Sequence, residues 1–218
     1  ECTFFDAGHI LGSGLAFLKI KDNNKTLKLG YIVDLGRANL PLLNDPVILK
    51  DLDYIIIEST YGNREHHLIE EAKEQLMFEA NQTLARTGKL IIPSFALERT
   101  QEVLYFLNEL IKERRLPQVP IYVDSPLATN ITEVFRQHES YLDSKTQRML
   151  DKGIDPFPDD RITYIRKVDE SKKLNKLDCP MIIIAGSGMC ESGRILHHLK
   201  NNISNPKNTI LVVGYMAK

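Results

Sequence analysis

Four short apolar runs limit the fold more than any other feature: "KLIIPSF" from Lys89, "PIYVDSP" from Pro120, "CPMIIIAG" from Cys179 and "NTILVVGY" from Asn208. Runs this short and this continuously apolar read as strands covered on both faces. Helical patterns separate them. Ile69, Ala72, Leu76, Ala80 and Leu84 recur at spacings of three and four before Gly88, which is placed to end that helix. A second helix buries Val103, Leu104, Leu107 and Ile111 before the charged run "KERR". Ser125 is a good N-cap with Pro126 at the first helical position, and Ile131, Val134 and Phe135 form the apolar face of the helix that follows. After the loop-like "LDKGIDPFPDD" come a weak strand "RITYI" and a polar helix from about Glu170 to Lys176. Strand–helix–strand units in series predict an α/β fold, a parallel-rich sheet flanked by helices with functional groups at the carboxyl ends of its strands. The strands ending near Pro93, Asp124, Gly186 and Gly214 should share that sheet, with helices opening near Leu97, Pro126 and Gly193.

The first third of the chain reads differently. "KTLKLGYIVD" and "LDYIIIES" are further strand patterns, both predicted buried, ending in Asp34 and Glu58, so two strands deliver carboxylates to one rim. The stretch "DAGHILGSG" places His9 between glycines before any of this begins. An imidazole and a carboxylate are zinc ligands in kind. Spacing alone leaves the alternative open, in which His9 is a loop histidine bonded to backbone and Asp34 caps a turn with Arg37.

Other classes are excluded by what the sequence lacks. No apolar run reaches the roughly 20 residues of a membrane span, and no basic-then-apolar leader pattern opens the chain, so no membrane partner and a cytoplasmic location are expected. Three cysteines without a C-x-x-C pair argue for reduced thiols rather than disulfides or a sulfur-rich zinc site. With a net charge of −1, a polyanion would be met by a local basic patch or a bound metal.

"ESTYGNREH" from Glu58 to His66 is specific in combination, and the order "DAGHILGSG", "YIVDLGR", "ESTYGNREH", "IIPSFALERTQEVLYFL", "IYVDSPLA", "GSGMCESGRILHHL" resembles the β-CASP branch of the metallo-β-lactamase-fold nucleases from end to end. The resemblance implies residues 1–62 as part of a metallo-β-lactamase αββα domain and 63–218 as the β-CASP domain. It implies a ribonuclease using two zinc ions, acting on single-stranded RNA in RNA processing or decay and compatible with a homo-oligomer. His9 is similar to the family's third metal motif and Asp34 to the fourth, the bridging aspartate. Glu58 matches the first β-CASP motif, an acid that orients a catalytic histidine rather than binding metal. The family's H-x-H-x-D-H motif and its last histidine motifs are absent, so the chain is expected to be an internal fragment, inactive by itself. The rival reading is a catalytically silent RNA-binding or scaffold subunit, against which the presence of His9, Asp34 and Glu58 argues.

"AGSGMCESGR" is a glycine-rich turn between strand and helix, suited either to cradling RNA phosphate through Gly186, Ser187, Gly188 and Arg194 or simply to tight packing. It is no dinucleotide fingerprint, because Glu191 stands where the third glycine belongs. Arg64, His66 and Arg99 are further RNA-contact candidates, with salt bridges to Glu98, Glu102 or Glu65 as the alternative. "KERR" and "LHHL" read as solvated helix surface.

Overall fold

A computed structural model describes residues 1–218 except Asn24, Arg64, His66, His67, Tyr215, Ala217 and Lys218. The chain divides into one unit of Glu1–Ile69 with Glu139–Arg148, and a second of Glu70–His138 with Met149–Lys218. The segment Glu139–Arg148 thus departs from the sequence boundary at residue 62. Its anchor is main-chain pairing: Leu43 and Leu142 form an antiparallel bridge, and the Asp143 N–H donates to the Leu42 carbonyl at 2.8 Å.

In the first unit, β1 (Cys2–Asp6), β2 (Gly14–Asp22) and β3 (Lys25–Ile32) form an antiparallel meander, and β4 (Tyr54–Ile57) adds parallel to β3. Ala7, Leu15 and Ile32 pack with Phe5 and Leu49 as its core. The register Ile32↔Ile57 puts the carboxyl ends of β3 and β4 side by side, which delivers Asp34 and Glu58 to one edge. The expectation that β4 is buried is corrected here, since Tyr54, Ile55, Ile56 and Ile57 are all at least half exposed. A continuous apolar run signals a strand meant for cover on both faces. β4, however, is the outer strand in the order β1-β2-β3-β4.

The second unit opens with α1 (Ile69–Ala85), which leads to β5 (Lys89–Pro93). Then follow α2 (Arg99–Lys112), β6 (Ile121–Asp124), α3 (Pro126–Gln137), α4 (Ser144–Asp151), most of which belongs to the first unit, and β7 (Ile162–Tyr164). The chain continues through α5 (Val168–Leu174), β8 (Met181–Ala185), α6 (Arg194–Asn202) and β9 (Thr209–Ile210). All five strands are parallel in the order β7-β6-β8-β5-β9. That is the sheet the strand–helix alternation predicts, although β9 is only two residues long where the apolar run extends to Val213.

Every residue of β5 and β8 is buried. Alternation divides their side chains between two helical layers. Met181 and Ile183 pack with Leu174 of α5, and Ile91 and Ala185 with Ile195 of α6. On α2, Gln101 Nε2 donates to the Ala128 carbonyl and to Thr132 Oγ1 of α3, which makes those helices neighbours. The chain steps outward from β5 to β6 to β7 and returns to place β8 between β6 and β5. Connections leave toward different helix pairs at the carboxyl ends of those inner strands, the place where open α/β sheets form ligand crevices.

Local chemistry explains two of the helix ends. Ser125 Oγ accepts from the Ala128 N–H at 3.2 Å with Pro126 at the first turn. Gly88 lies against the Lys207 carbonyl so closely that a Cβ would sit 1.8 Å from its oxygen. On α3 the buried residues are Ala128, Thr129, Thr132 and Phe135, and Val134 is exposed. The stripe is rotated because threonines, bonded to main-chain carbonyls, fill positions an apolar count assigns to solvent.

Candidate active site

Three segments meet at the carboxyl edge of β3 and β4. After β1 the chain turns at Gly8, which has a φ of +59° and lies where a Cβ would be 2.8 Å from the Asn44 carbonyl oxygen, so the turn admits only glycine. Asp6 Oδ1 accepts from the Gly8 N–H at 2.8 Å, and Ser13 Oγ accepts from the His9 and Ile10 N–H groups at 3.2 and 3.3 Å. His9 is presented exposed on that fixed loop. The loop after β3 lies directly against it: the Gly36 N–H donates to the Ala7 carbonyl at 2.9 Å, and a Cβ on Gly36 would fall 1.8 Å from the Gly8 oxygen. Asp34, also exposed, has a φ of +48°, a conformation costly for a non-glycine residue and frequent at functional sites. Glu58 closes the group. Its N–H donates to the Ile32 carbonyl at 3.2 Å and its Oε1 accepts from the Leu35 N–H at 2.6 Å, leaving Oε2 without a partner among the described residues. The loops carrying His9 and Asp34 and the side chain of Glu58 are therefore joined by main-chain hydrogen bonds.

The other predicted residues lie on the second unit, apart from Arg64 and His66, which fall outside the described residues. Arg99 opens α2 with its Nη1 2.5 Å from Glu102 Oε2, the salt bridge weighed from the sequence, while its own side chain stays 40% exposed. The turn Gly186–Gly193 folds onto itself. Ser187 N–H donates to Ser192 O, Cys190 N–H to Ser187 O, Glu191 N–H to Ser187 Oγ and Ile195 N–H to Gly186 O. Gly188 sits against the Phe95 ring, where a Cβ would be 2.7 Å from the nearest ring carbon.

Arg194 has a different assignment from phosphate contact. Its Nη1 donates to Asp124 Oδ1 at 2.6 Å and to the Ile165 carbonyl at 3.0 Å, and its Nη2 to the Arg166 carbonyl at 2.7 Å. Asp124, wholly buried at the end of β6, also accepts from Ser171 Oγ at 2.5 Å and lies 2.6 Å from His198 Nε2. Burial alone would push this carboxyl's pKa up. The hydrogen bonds from His198, Ser171 and Arg194, with the His198 charge, outweigh that and hold it below the ordinary aspartate value. His198 Nδ1 meets Asn175 Oδ1 at 3.0 Å, so both ring nitrogens face oxygens. His198 is thus no part of a solvated surface, which corrects the reading of "LHHL". Arg194 and His198 stand four residues apart, one helical turn, below a strand ending in aspartate. That combination was the available signal.

Residues 100–218 match the family of the Beta-Casp domain. The chain belongs to the β-CASP family. It is 38% identical over 216 residues to "Ribonuclease TTHA0252" of Thermus thermophilus, covering 99% of this chain and 49% of that protein. It is 38% identical over 220 residues to the "RNase J-like protein" of Methanocaldococcus jannaschii, with 99% and 49% covered. The "Transcription termination factor FttA" of Methanosarcina mazei is 31% identical over 224 residues, with 100% of this chain and 34% of that protein covered. The chain spans about half the length of the first two relatives and a third of the last. His9, Asp34 and Glu58 precede the matched domain but lie within the stretch shared with these relatives, whose alignments take in nearly the whole chain. Among the described residues no helix is long and apolar enough to cross a membrane.

Proposed function

We propose that the chain is the β-CASP region, with part of a metallo-β-lactamase-type domain, of a zinc-dependent ribonuclease that hydrolyses phosphodiester bonds in single-stranded RNA. The observation that carries this reading is the junction of the His9 loop, the Asp34 loop and Glu58 through the Gly36–Ala7 and Leu35–Glu58 hydrogen bonds. Ribonuclease-named relatives in the same family support it.

The donors fit zinc in kind: a neutral imidazole and a carboxylate, both exposed, on loops fixed by glycine contacts. In number they fall short, since among the described residues no three His, Cys, Asp or Glu side chains are grouped to hold a metal ion. His9 and Asp34 would hold the metal together with ligands from elsewhere in a longer protein. Such a centre supplies an activated water and charge stabilisation for the phosphate. Asp34 would be aimed by its left-handed backbone, and that strain is held by the Gly36 N–H bond to Ala7. Glu58 has one oxygen anchored by Leu35 and one open, the state needed to accept an imidazole N–H, fix its tautomer and stabilise the imidazolium that protonates a leaving oxygen. On the second unit, Arg99 remains an RNA-contact candidate, partly exposed although paired with Glu102.

The test compares the full-length protein with its Asp34→Asn and Glu58→Gln variants, measuring bound zinc and cleavage of a labelled single-stranded RNA. Asp34→Asn should lose both metal and cleavage. Glu58→Gln should keep its zinc and lose about 10²–10⁴-fold in rate, the usual contribution of general acid catalysis. Wild-type cleavage rates in Glu58→Gln would overturn its role, and a wild-type protein that binds RNA without cutting it would establish the scaffold reading.

A further inference from the structure

A second site lies on the β-CASP unit, away from the carboxyl ends of that unit's own strands. Where α2 ends, the segment leading to β6 borders a cavity of about 680 Å³ lined by Lys112, Arg114, Arg115 and Arg161, with the amides of Asn81 and Gln118. The 14 residues of α2 put about 20 Å between Arg99 and this cavity at 1.5 Å per residue. It therefore sits at the amino-end side of the sheet, opposite the carboxyl ends of β5, β6 and β8.

The carboxylates of this region are already engaged. Glu109 and Glu113 take Lys73 at 3.1 and 2.8 Å, Glu74 takes Arg115 at 2.5 Å, and Asp155 takes Arg136 at 3.2 Å. Arg161 donates to Asn108 Oδ1 at 3.0 Å and reaches Asp160 only at 4.0 Å. Lys112 and Arg114 have no carboxylate within 4 Å among the described residues. Lys112, Arg114 and Arg161 thus border a concavity with no carboxylate closer than 4.0 Å among the described residues, and their mutual repulsion is only partly offset by Glu109, Asp155 and Asp160. Lys112 registers it: burial first, then the neighbouring Arg161 charge, depress its ammonium's pKa below the usual lysine value, against the pull of nearby acids. An incoming phosphate reverses the second effect and compensates the first. Pro117 and the buried Leu116 add an apolar wall, and the Gln118 amide, beside an Asn81 amide that already donates to the Arg115 carbonyl at 2.9 Å, can read polar edges, which suits a nucleotide better than a bare ion.

We propose that the cavity bordered by Lys112, Arg114 and Arg161 is a binding site for a nucleotide phosphate, distinct from the metal edge and supplied either by a free nucleotide or by the backbone of bound RNA. The site needs no cleavage activity, so its test stands apart from that of the ribonuclease reading.

The experiment titrates ADP and inorganic pyrophosphate into the full-length protein by calorimetry, and a labelled single-stranded RNA by fluorescence anisotropy. Lys112→Gln/Arg114→Gln and the single Arg114→Gln variant are run beside wild type, with thermal melts as a folding control. Both side chains lack ion-pair partners among the described residues, so unliganded melting temperatures should not move. The double variant should bind ADP at least tenfold more weakly and Arg114→Gln should fall between. If RNA is the source, RNA affinity drops with it and the salt slope falls by about 1.4 for two lost phosphate contacts. If a free nucleotide is the source, RNA affinity stays unchanged. Absence of ADP and pyrophosphate binding together with unchanged RNA affinity, or binding indifferent to both substitutions, would overturn the proposal.

Discussion

Replacing Asp124 by asparagine keeps the shape of the side chain and removes its charge from the centre of its donors. In the protein, Oδ2 serves both Ser171 and His198, and Oδ1 serves Arg194. An asparagine offers one oxygen and one NH2. With the amide nitrogen at the Oδ2 position, Ser171 can turn its hydroxyl to accept and His198 Nε2 can accept as the Nδ1–H tautomer, its proton going to Asn175 Oδ1, but Arg194 then faces a neutral oxygen in place of a carboxylate. With the nitrogen at the Oδ1 position, it faces the Arg194 guanidinium. Breaking a buried charge pair by removing one partner costs about 3–5 kcal/mol. Arg194 keeps its bonds to the Ile165 and Arg166 carbonyls and is 18% exposed, so the low end, about 3 kcal/mol, applies. A chain of two units need not unfold in one step, which makes hydrogen exchange the proper assay. The amides of β6, α5 and α6 should lose about 3 kcal/mol of protection while those of β2 and β3 keep theirs. The pH dependence has a definite sign. Asp124 has a depressed pKa in the folded state, so its contribution is complete above the unfolded value of about 3.9 and is lost as pH falls through the folded value. The difference between wild type and variant should therefore shrink on acidification below about pH 4. A loss of protection under about 1 kcal/mol at neutral pH, or a difference that grows in acid, would refute the assignment of Asp124 as the charged centre of this network.

Gly36→Ala should separate the His9 and Asp34 loops, because the added methyl group lands on the Gly8 carbonyl, and, on the zinc proposal, metal content of the full-length protein should fall with little change in far-UV circular dichroism. Gly188→Ala meets the Phe95 ring, which must swing away; a changed environment of that ring by NMR is expected, and an unperturbed one would contradict the packing. The isolated 218-residue chain should cleave no RNA and bind less than one equivalent of zinc, because His9 and Asp34 supply two of the three protein ligands a catalytic zinc generally needs; cleavage that disappears on His9→Ala would show the ligand count to be wrong.

The parallel sheet was legible because its information is local. Continuous runs such as Met181–Ala185 specify a strand wherever it lies, and Ser125-Pro126 specifies a helix start. What escaped depends on partners distant in sequence. The apolar run of β4 states a need for cover, and no pattern within it states whether cover is present. α6 shows the same limit in phase. Its "LHHL" reads as solvated surface, which holds for Leu196 at 41% exposed, whereas the buried residues are Ile195, His198 and Asn202. Two polar side chains take core positions because a carboxylate at the end of β6 requires donors there, and Asp124 lies 74 residues from His198. At the carboxyl edge of β3 and β4 the residue types were legible and their junction was not, since it depends on the Gly36 and Leu35 main chain rather than on any side-chain pattern.

The same network bears on how the glycine-rich turn works. A phosphate held by a turn needs N–H groups pointing outward. In Gly186–Gly193, four main-chain N–H groups of the turn and the first helical residues are spent inward, on Ser192, Ser187 and Gly186. Gly193, with a φ of +79°, approaches the Gly186 carbonyl so closely that a Cβ would be 2.5 Å from it. Gly188 and Gly193 are accounted for by close packing, one of the two alternatives their spacing left open, whereas a Cβ at Gly186 would come no closer than 3.8 Å to the Ser94 carbonyl oxygen. The next residue is Arg194, whose side chain is fixed by Asp124 and by two carbonyls that follow β7. The turn is therefore clamped at its helical end by the buried aspartate and at Gly188 by the Phe95 ring. Loosening Asp124 should reach the strand-end rim through Arg194, so the Asp124→Asn variant is expected to raise exchange at Ser187 and Cys190 as well as in the helices.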